Sequence, residues 1–162
     1  MSFYLAYQTE GAMARAPFQI LIILFHKNDE LIKYCIFERK QPHNQIQFVA
    51  GGGEDEETPE EAAARELREE TGITVSSFLP LKSLCYIPTN IFSLEQRKIW
   101  GNELYVIPEY SFAVELKTTD EIKLSVEHAN FKWVTYEEAQ RLLKWDSNKT
   151  ALYELNSILR NI

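Results

Sequence analysis

Three glutamates in the sequence have a spacing that suits the binding of a metal ion. Glu66, Glu69 and Glu70 follow an i, i+3, i+4 pattern, so on a helix their carboxylates project from one face within a single turn. Like charges this close destabilise an isolated helix, whereas a divalent cation makes the arrangement favourable. Hard oxygen donors favour Mg²⁺ or Mn²⁺, which usually keep several waters and share substrate phosphates. The pattern predicts a platform for a metal-bridged polyphosphate, on which water is activated to attack phosphorus.

The negative charge of the chain is concentrated around these glutamates. The 162 residues carry 24 acidic and 17 basic side chains, a net charge of −7. Residues 54–70 contain nine acids and two arginines, a balance of −7, so the rest of the chain is neutral overall. Such a local excess repels nucleic acid unless cations are bound there. We therefore expect a small-molecule polyphosphate as the partner, and no nucleic acid polymer.

The segment that carries the glutamates has the signals of a well-defined helix. Thr58 is placed as the N-cap, Pro59 as the first helical residue and Glu61 three residues after the cap, which makes a capping box. The helix should stop at Thr71-Gly72. The glycines at 51–53 allow backbone conformations closed to other residues, so this loop can bring carbonyl and amide groups to the same place.

The remaining segments predict a mixed sheet with flanking helices. Residues 17–26 and 31–39 are rich in β-forming residues and, with the polar turn at 27–30, predict a hairpin. Further strands are expected at 47–49, 78–87, 103–116 and 132–134, a loop or short insertion at 88–102, and helices at 136–145 and 149–159. The order predicts an α/β fold, and the length predicts one domain over residues 1–162.

The composition favours a soluble cytoplasmic protein that does not enter a membrane. The longest uninterrupted apolar run, Ile20 to Phe25, is too short to cross a bilayer, and residues 1–16 lack the pattern of a signal peptide. Cys35 and Cys85 each lie in an apolar stretch without C-x-x-C spacing. They are expected to be reduced core thiols.

The acidic helix and the glycine loop together resemble the Nudix box, a motif of Gly, five residues, Glu, seven residues, Arg-Glu-apolar, one residue, Glu-Glu, one residue and Gly-apolar. Every position of the box is matched between residues 51 and 73, by Gly51, Glu57, Arg65-Glu66-Leu67, Glu69-Glu70 and Gly72-Ile73. The chain is thereby identified as a member of the Nudix hydrolase superfamily. The resemblance implies the Nudix fold, an α/β/α sandwich with a mixed β-sheet, and cleavage of a diphosphate linked to another group.

The resemblance also implies roles for the residues of the box. The equivalents of Glu66, Glu69 and Glu70 hold the divalent cations, Mg²⁺ or Mn²⁺, and the equivalent of Glu70 is generally the most important. The equivalent of Arg65 orients the glutamates through a salt bridge, which we expect to form with Glu57.

Residues of the glycine loop and its neighbourhood complete the implied site. The backbone carbonyl of Ala50 is expected to add a metal ligand, and Gly51, Gly52 and Arg39 are candidate substrate contacts. Family members often have Gly at the positions of Ala50 and Glu56. The first departure matters little because only a carbonyl is needed, whereas the second affects the shape of the loop.

Many relatives need a further carboxylate from outside the box as general base or additional ligand. Glu127 is the leading candidate, because Nudix chains often carry a glutamate ahead of a late strand containing Trp. The alternative is that Glu127 caps a turn or pairs with Lys132. We expect His128 to be a partner in that loop and not a catalyst. Other candidates for the carboxylate are Glu121, Glu109 and Glu115, or no such residue exists.

Several segments outside the box resemble the branch that hydrolyses dihydroneopterin triphosphate and deoxynucleoside triphosphates. These segments are Gln47–Gly51, Ile91–Ser93, Glu127-His128, Lys132-Trp133 and Trp145–Asn148. The branch implies release of a monophosphate and pyrophosphate by a monomer or homodimer. Dinucleoside polyphosphate hydrolases share the late Glu-His and Trp pattern, so they and other nucleoside diphosphate-X hydrolases stay as alternatives. A catalytically silent nucleotide sensor is the third possibility, although the intact carboxylates argue against it.

Overall fold

The computed structural model describes residues 14–42, 44–119 and 121–161, and these contain seven strands and four helices. The strands are β1 (Arg15–Asn28), β2 (Leu31–Arg39), β3 (Ile46–Gln47), β4 (Val49–Glu54), β5 (Leu79–Pro88), β6 (Val106–Glu115) and β7 (His128–Val134). The helices are α1 (Pro59–Thr71), α2 (Leu94–Trp100), α3 (Tyr136–Leu142) and α4 (Asp146–Arg160). None of the helices in these ranges is both long and apolar enough to span a membrane. The expectation about a signal peptide falls mostly on residues outside them.

The strands form one mixed sheet in the order β3-β2-β1-β6-β5, with β4 also paired to β1 and β7 to β2. β1 runs parallel to β6, and the other pairs are antiparallel. The expected hairpin of the first two strands is confirmed, with Leu24 opposite Cys35 and Asn28 opposite Leu31. β1 therefore lies at the centre and holds β4, which leads into α1.

Helices cover both faces of the sheet, because successive residues of β1 point to opposite sides. Ile20 and Ile22 belong to the apolar cluster that includes Leu67 of α1, whereas Leu21 belongs to the cluster that includes Leu152 of α4. The α/β/α sandwich with a mixed sheet expected from the sequence is confirmed.

The structure differs from the sequence prediction mainly between residues 88 and 102. This segment is not simply a loop, since it contains a short 3-10 turn and helix α2, which Ser93 caps by accepting a hydrogen bond from the Gln96 amide at 3.1 Å. The Trp100 indole fastens the segment to the sheet by donating to the Arg15 carbonyl at 2.8 Å. Elsewhere, β7 begins four residues before the predicted strand, and α4 begins at Asp146 instead of residue 149.

The two cysteines are free thiols, as expected, but only one of them is a core residue. Cys35 is fully buried in the apolar cluster that includes Leu67 of α1. Cys85 is only partly buried, because its strand β5 is at the edge of the sheet and the side chain faces a cavity described below. The expectation of a core position for Cys85 was wrong.

Candidate active site

Helix α1 is fixed at both ends by the residues that the sequence indicates. Thr58 Oγ1 accepts a hydrogen bond from the Glu61 amide at 3.2 Å, and Glu61 Oε2 accepts one from the Thr58 amide at 2.9 Å. At the other end Gly72 adopts a left-handed conformation with φ of 73°, which favours glycine, and its amide donates to the Arg68 carbonyl. The capped helix presents its three glutamates at defined positions.

Arg65 joins the helix to the glycine-rich strand β4. Its guanidinium donates to both oxygens of Glu57, at 2.7 and 3.1 Å, and to the Gly52 carbonyl at 2.7 Å. A third nitrogen, Nη1, donates to Glu66 Oε1 at 2.9 Å and to Glu69 Oε2 at 3.2 Å. The expected ion pair between Arg65 and Glu57 is therefore present, and the same arginine also reaches two of the proposed metal ligands.

Glu66 is the most crowded of the three glutamates. Gly51 lies against its carboxylate so closely that a Cβ at position 51 would overlap it, which explains the need for glycine at this position. Burial raises the pKa of Glu66, Arg65 partly offsets this, and the negative charges of Glu69 and Glu70 raise it further, to about 7. Negative charge is thus in excess here, and a cation is the group that relieves it.

Glu70 is 5% exposed and is held by residues from the loop that precedes β7. The Ser125 hydroxyl donates to Glu70 Oε2 at 2.9 Å, and His128 Nδ1 lies 2.8 Å from the same oxygen. Nδ1 makes no well-aligned hydrogen bond among the described residues, so we treat this pair as a close electrostatic contact. Burial raises the pKa of Glu70, but His128 and Ser125 outweigh it and hold the pKa below its ordinary value.

Glu127 lies beside Glu70, close enough for each carboxyl group to change the pKa of the other. The residue as a whole is exposed, yet its carboxyl group is partly shielded. This shielding, followed by the charge of Glu70, raises the pKa of Glu127, and Arg39 partly opposes the effect. Lys132, the alternative partner for Glu127, instead contacts Glu138 at 3.0 Å. The structure therefore brings Glu127 to Glu70 of α1, and Arg39 lies within electrostatic range of Glu127.

The donor atoms fit a hard divalent cation in type, although they do not form a finished cage. Across the described ranges, no three Asp, Glu, His or Cys side chains are arranged to hold a metal ion. Glu66 and Glu69 are turned towards Arg65, and Glu70 is turned towards Ser125. The three carboxylates nevertheless leave from one face of one capped helix, at positions i, i+3 and i+4, where a divalent cation would find oxygen donors of the type it prefers.

A cavity of about 470 Å³ lies on the α4 side of the sheet, and none of the acidic cluster formed by Glu66, Glu69, Glu70 and Glu127 lines it. It is lined by strands of the sheet and by the start of α4, and its wall includes Gln19, Gln47, Cys85, Glu109, Trp145 and Asn148. Two further lining residues, Ala50 and Arg39, connect it to the acidic cluster, because Ala50 precedes Gly51 and Arg39 interacts with Glu127. Gly51 and Gly52 are not part of the wall, since they contact Glu66 and Arg65 instead.

Three contacts of the site were not predicted from the sequence: Ser125 with Glu70, Gln19 with Glu109, and Asn148 with the Phe48 amide. Ser125 carries no motif, and its contact with Glu70 across 55 residues appears only in three dimensions. The pair formed by Gln19 and Glu109 had a usable signal, since each is a polar residue within an otherwise apolar strand. Asn148 belongs to the segment Trp145–Asn148 that the resemblance indicated, but the sequence did not show that its side chain accepts from the Phe48 amide, at 2.9 Å.

Comparison with known proteins places the chain in a family. Residues 17–155 match the family model described as NUDIX domain. An octanoyltransferase of Myxococcus xanthus is 31% identical over 137 residues, which cover 82% of this chain and 35% of that protein. The chain thus spans about a third of this curated relative, and the activity in its name belongs to that whole protein.

Solved structures share the same fold over nearly the whole chain. A structure from Listeria monocytogenes described as a NUDIX hydrolase is 44% identical, covers 90% of this chain and 96% of its own, and has a TM-score of 0.79. The dihydroneopterin triphosphate pyrophosphohydrolase of E. coli is 22% identical, with coverage of 90% and 99% and a TM-score of 0.70. An Ap4A hydrolase of C. elegans is 19% identical, with coverage of 91% and 100% and a TM-score of 0.69. The chain therefore belongs to the NUDIX domain family.

Proposed function

We propose that the chain is a Mg²⁺-dependent pyrophosphohydrolase of a nucleoside triphosphate-like substrate. The substrate, a deoxynucleoside triphosphate or dihydroneopterin triphosphate, is converted with one water to a monophosphate and pyrophosphate. The observation that carries this proposal is the junction of the cavity with the acidic cluster at Ala50 and Arg39. A substrate whose ring lies in the cavity has its phosphates at that junction.

The cavity suits one ring and its attached chain. Its volume of about 470 Å³ is within the usual range for small-molecule sites, and its wall combines apolar side chains with a few amides. Arg39 is at the junction, where a guanidinium binds phosphate oxygens with two parallel hydrogen bonds. One nucleoside is therefore accommodated inside, with its anionic chain directed towards α1.

The residues of the cluster divide the chemistry among them. A divalent cation bound by Glu66, Glu69, Glu70 and the Ala50 carbonyl would neutralise phosphate oxygens and lower the pKa of water. Glu127, which lies beside Glu70, takes the proton from the attacking water.

The remaining residues hold this arrangement in place. Ser125 keeps Glu70 oriented, and Arg65 with Glu57 holds the helix against the glycine strand. Positioning and electrostatics, without a covalent intermediate, carry the reaction.

A panel of substrates tests this proposal. The full chain is incubated with Mg²⁺ or Mn²⁺ and a deoxynucleoside triphosphate, dihydroneopterin triphosphate, diadenosine tetraphosphate, ADP-ribose or a nucleotide sugar, and the products are resolved by chromatography. Pyrophosphate from a triphosphate is the expected result. Cleavage of dinucleotides or ADP-ribose alone would keep the hydrolase and discard the triphosphate substrate. No hydrolysis with either metal would favour a nucleotide-binding sensor.

Variants test the proposed base within the same assay. Glu127→Gln is expected to lower kcat by about 10²- to 10⁴-fold, the usual contribution of a positioned general base. Glu121→Gln tests the alternative base, and Glu103→Gln, an exposed glutamate in the turn before β6, is the control that should keep full activity. A full rate in Glu127→Gln together with a slow Glu121→Gln would reassign the base.

A further inference from the structure

A buried carboxylate on β6 faces the cavity and has no role in the chemistry proposed above. Glu109 is 5% exposed and lies in the wall beside Gln19 and Cys85. In the part of the chain that the structure describes, no Lys, Arg or His forms an ion pair with it. Burial of an acidic group without a cation costs free energy, and such a cost in a binding cavity points to recognition of a ligand.

The neighbours of Glu109 leave it as a hydrogen-bond acceptor. Gln19 Nε2 donates to Glu109 Oε2 at 2.8 Å, and Ser147 lies close enough to stabilise the ionised form of the same carboxyl group. The amide of Gln19 is oriented by Arg15, whose Nη2 donates to Gln19 Oε1 at 3.4 Å. A carboxylate has about four acceptor positions, so two are still available to a ligand.

Burial raises the pKa of Glu109 above its ordinary value, and Gln19 and Ser147 offset only part of this rise. The carboxyl group lies in the cavity wall, and the hydrogen bond from Gln19 Nε2 to Oε2 fixes its position.

The strand register fixes the distance from this carboxylate to the glycine strand. Gly52 of β4 is opposite Gln19 of β1, Gln19 is opposite Glu109 of β6, and Glu109 is opposite Cys85 of β5. Adjacent strands are about 4.8 Å apart, so Glu109 lies about 10 Å from β4. When the phosphates lie at the β4 end of the cavity, it is the ring of the substrate that meets Glu109.

We propose that Glu109 selects the substrate by accepting hydrogen bonds from a 2-amino-4-oxopyrimidine ring, the ring system shared by guanine and pterins. This ring carries a lactam N–H beside an exocyclic amino group, and two parallel donors match the acceptor oxygens of a carboxylate. Hypoxanthine lacks the amino group, and adenine has an acceptor nitrogen beside its amino group. The inference rests on the proposed function, because it names the ring of the same substrate.

Equilibrium binding of monophosphates tests this selection without any bond cleavage. GMP, IMP, AMP and neopterin monophosphate are titrated into the full chain by calorimetry in buffer without divalent metal. We expect GMP to bind at least about tenfold more tightly than IMP and AMP, because a site built to accept an N–H group discriminates against ligands that lack it. Comparison of GMP with neopterin monophosphate distinguishes a guanine from a pterin substrate.

The variant Glu109→Gln tests the residue itself, with Glu103→Gln as the control. The ratio of IMP to GMP dissociation constants should fall to within about threefold in Glu109→Gln and stay unchanged in the control. If Glu109→Gln does not fold, the comparison of GMP with IMP in the parent chain still decides.

Three results would overturn the proposal: equal binding of GMP and IMP, no binding of any of the four ligands up to about 10 mM, or an unchanged ratio in Glu109→Gln. The hydrolysis panel separates this inference from the proposed function. Selective GMP binding without triphosphate hydrolysis would contradict only the proposed function. Hydrolysis without ring selection would contradict only the proposed role of Glu109.

Discussion

Replacement of Arg65 by Gln should destabilise the protein, because this side chain joins α1 to the glycine strand. Five hydrogen bonds from the guanidinium reach Glu57, Glu66, Glu69 and the Gly52 carbonyl. The side chain of Arg65 is 12% exposed and that of Glu57 is 22% exposed, so the network is mostly buried. Removal of one partner from a buried ion pair costs roughly 3 to 5 kcal/mol. Because the network keeps some exposure to solvent, the expected loss in the free energy of unfolding is at the lower end of this range, about 3 kcal/mol.

This loss can be measured as a change in Tm. For a chain of this size 1 kcal/mol corresponds to about 2 to 4 °C, so Arg65→Gln should lower Tm by about 6 to 12 °C. Arg65→Lys keeps the charge, but the lysine ammonium is a compact group that cannot reproduce the planar contacts of the guanidinium. The Tm of Arg65→Lys should therefore lie between those of the parent and Arg65→Gln. Arg68→Gln, at an exposed position of the same helix, is the matched control. Its free energy of unfolding should stay within about 0.5 kcal/mol of that of the parent.

Activity and stability together separate a positioning role from a purely structural one. At a temperature well below both Tm values, Arg65→Gln should lower kcat/KM by more than about tenfold, because Glu66 and Glu69 lose the contact that orients them. A variant that melts within about 2 °C of the parent would refute the reasoning on the network. A large fall in Tm with an unchanged kcat/KM would refute the positioning of the glutamates.

Four further predictions follow from other contacts. Glu70→Gln keeps the volume of the side chain and should fold normally, but should lose most of its hydrolytic activity; an unchanged rate would remove Glu70 from the centre of the chemistry. Gly51→Ala should lower activity, since the added Cβ overlaps the Glu66 carboxylate, and a crystal structure would show whether that carboxylate moves. Leu67→Ala should cost about 2 to 5 kcal/mol in urea unfolding, because the side chain is fully buried between α1 and the sheet. Burial raises the pKa of Glu154, but hydrogen bonds from residues 82–83 outweigh it and leave the pKa below its ordinary value. The stability from Glu154 is therefore present above about pH 4.5 and is lost as the pH falls through the lower folded-state pKa, so the deficit of Glu154→Gln in Tm at pH 7 should shrink between about pH 5 and pH 3.

The sequence predicts best those elements whose limits are set by neighbouring residues. Helix α1 begins and ends as expected because Thr58, Pro59 and Gly72 act on the backbone within a few positions. Helix α2 was missed for the opposite reason, since it buries none of its residues and shows no apolar periodicity. Its cap, Ser93, is the local signal that could have indicated it.

Contacts between distant segments could not be predicted in the same way. The parallel pairing of β1 with β6 brings Gln19 to Glu109 across 90 residues, and nothing local specifies which strands become neighbours. The loop that supplies Ser125 to Glu70 depends likewise on where β7 joins the sheet. The motif therefore indicates which carboxylates cluster, but not which residues orient them or form the cavity.

The arrangement of strands explains how one motif can serve different substrates. The residues of the box are held by α1 and β4, whereas the ring end of the cavity is formed by β5, β6 and the start of α4. Substitution of Glu109 or Cys85 changes that end without touching any contact of Arg65 or Glu70. Mutations on β5 and β6 should therefore alter which triphosphate is bound while the metal requirement stays the same. Mutations in α1 should alter the metal requirement while the choice of triphosphate stays the same.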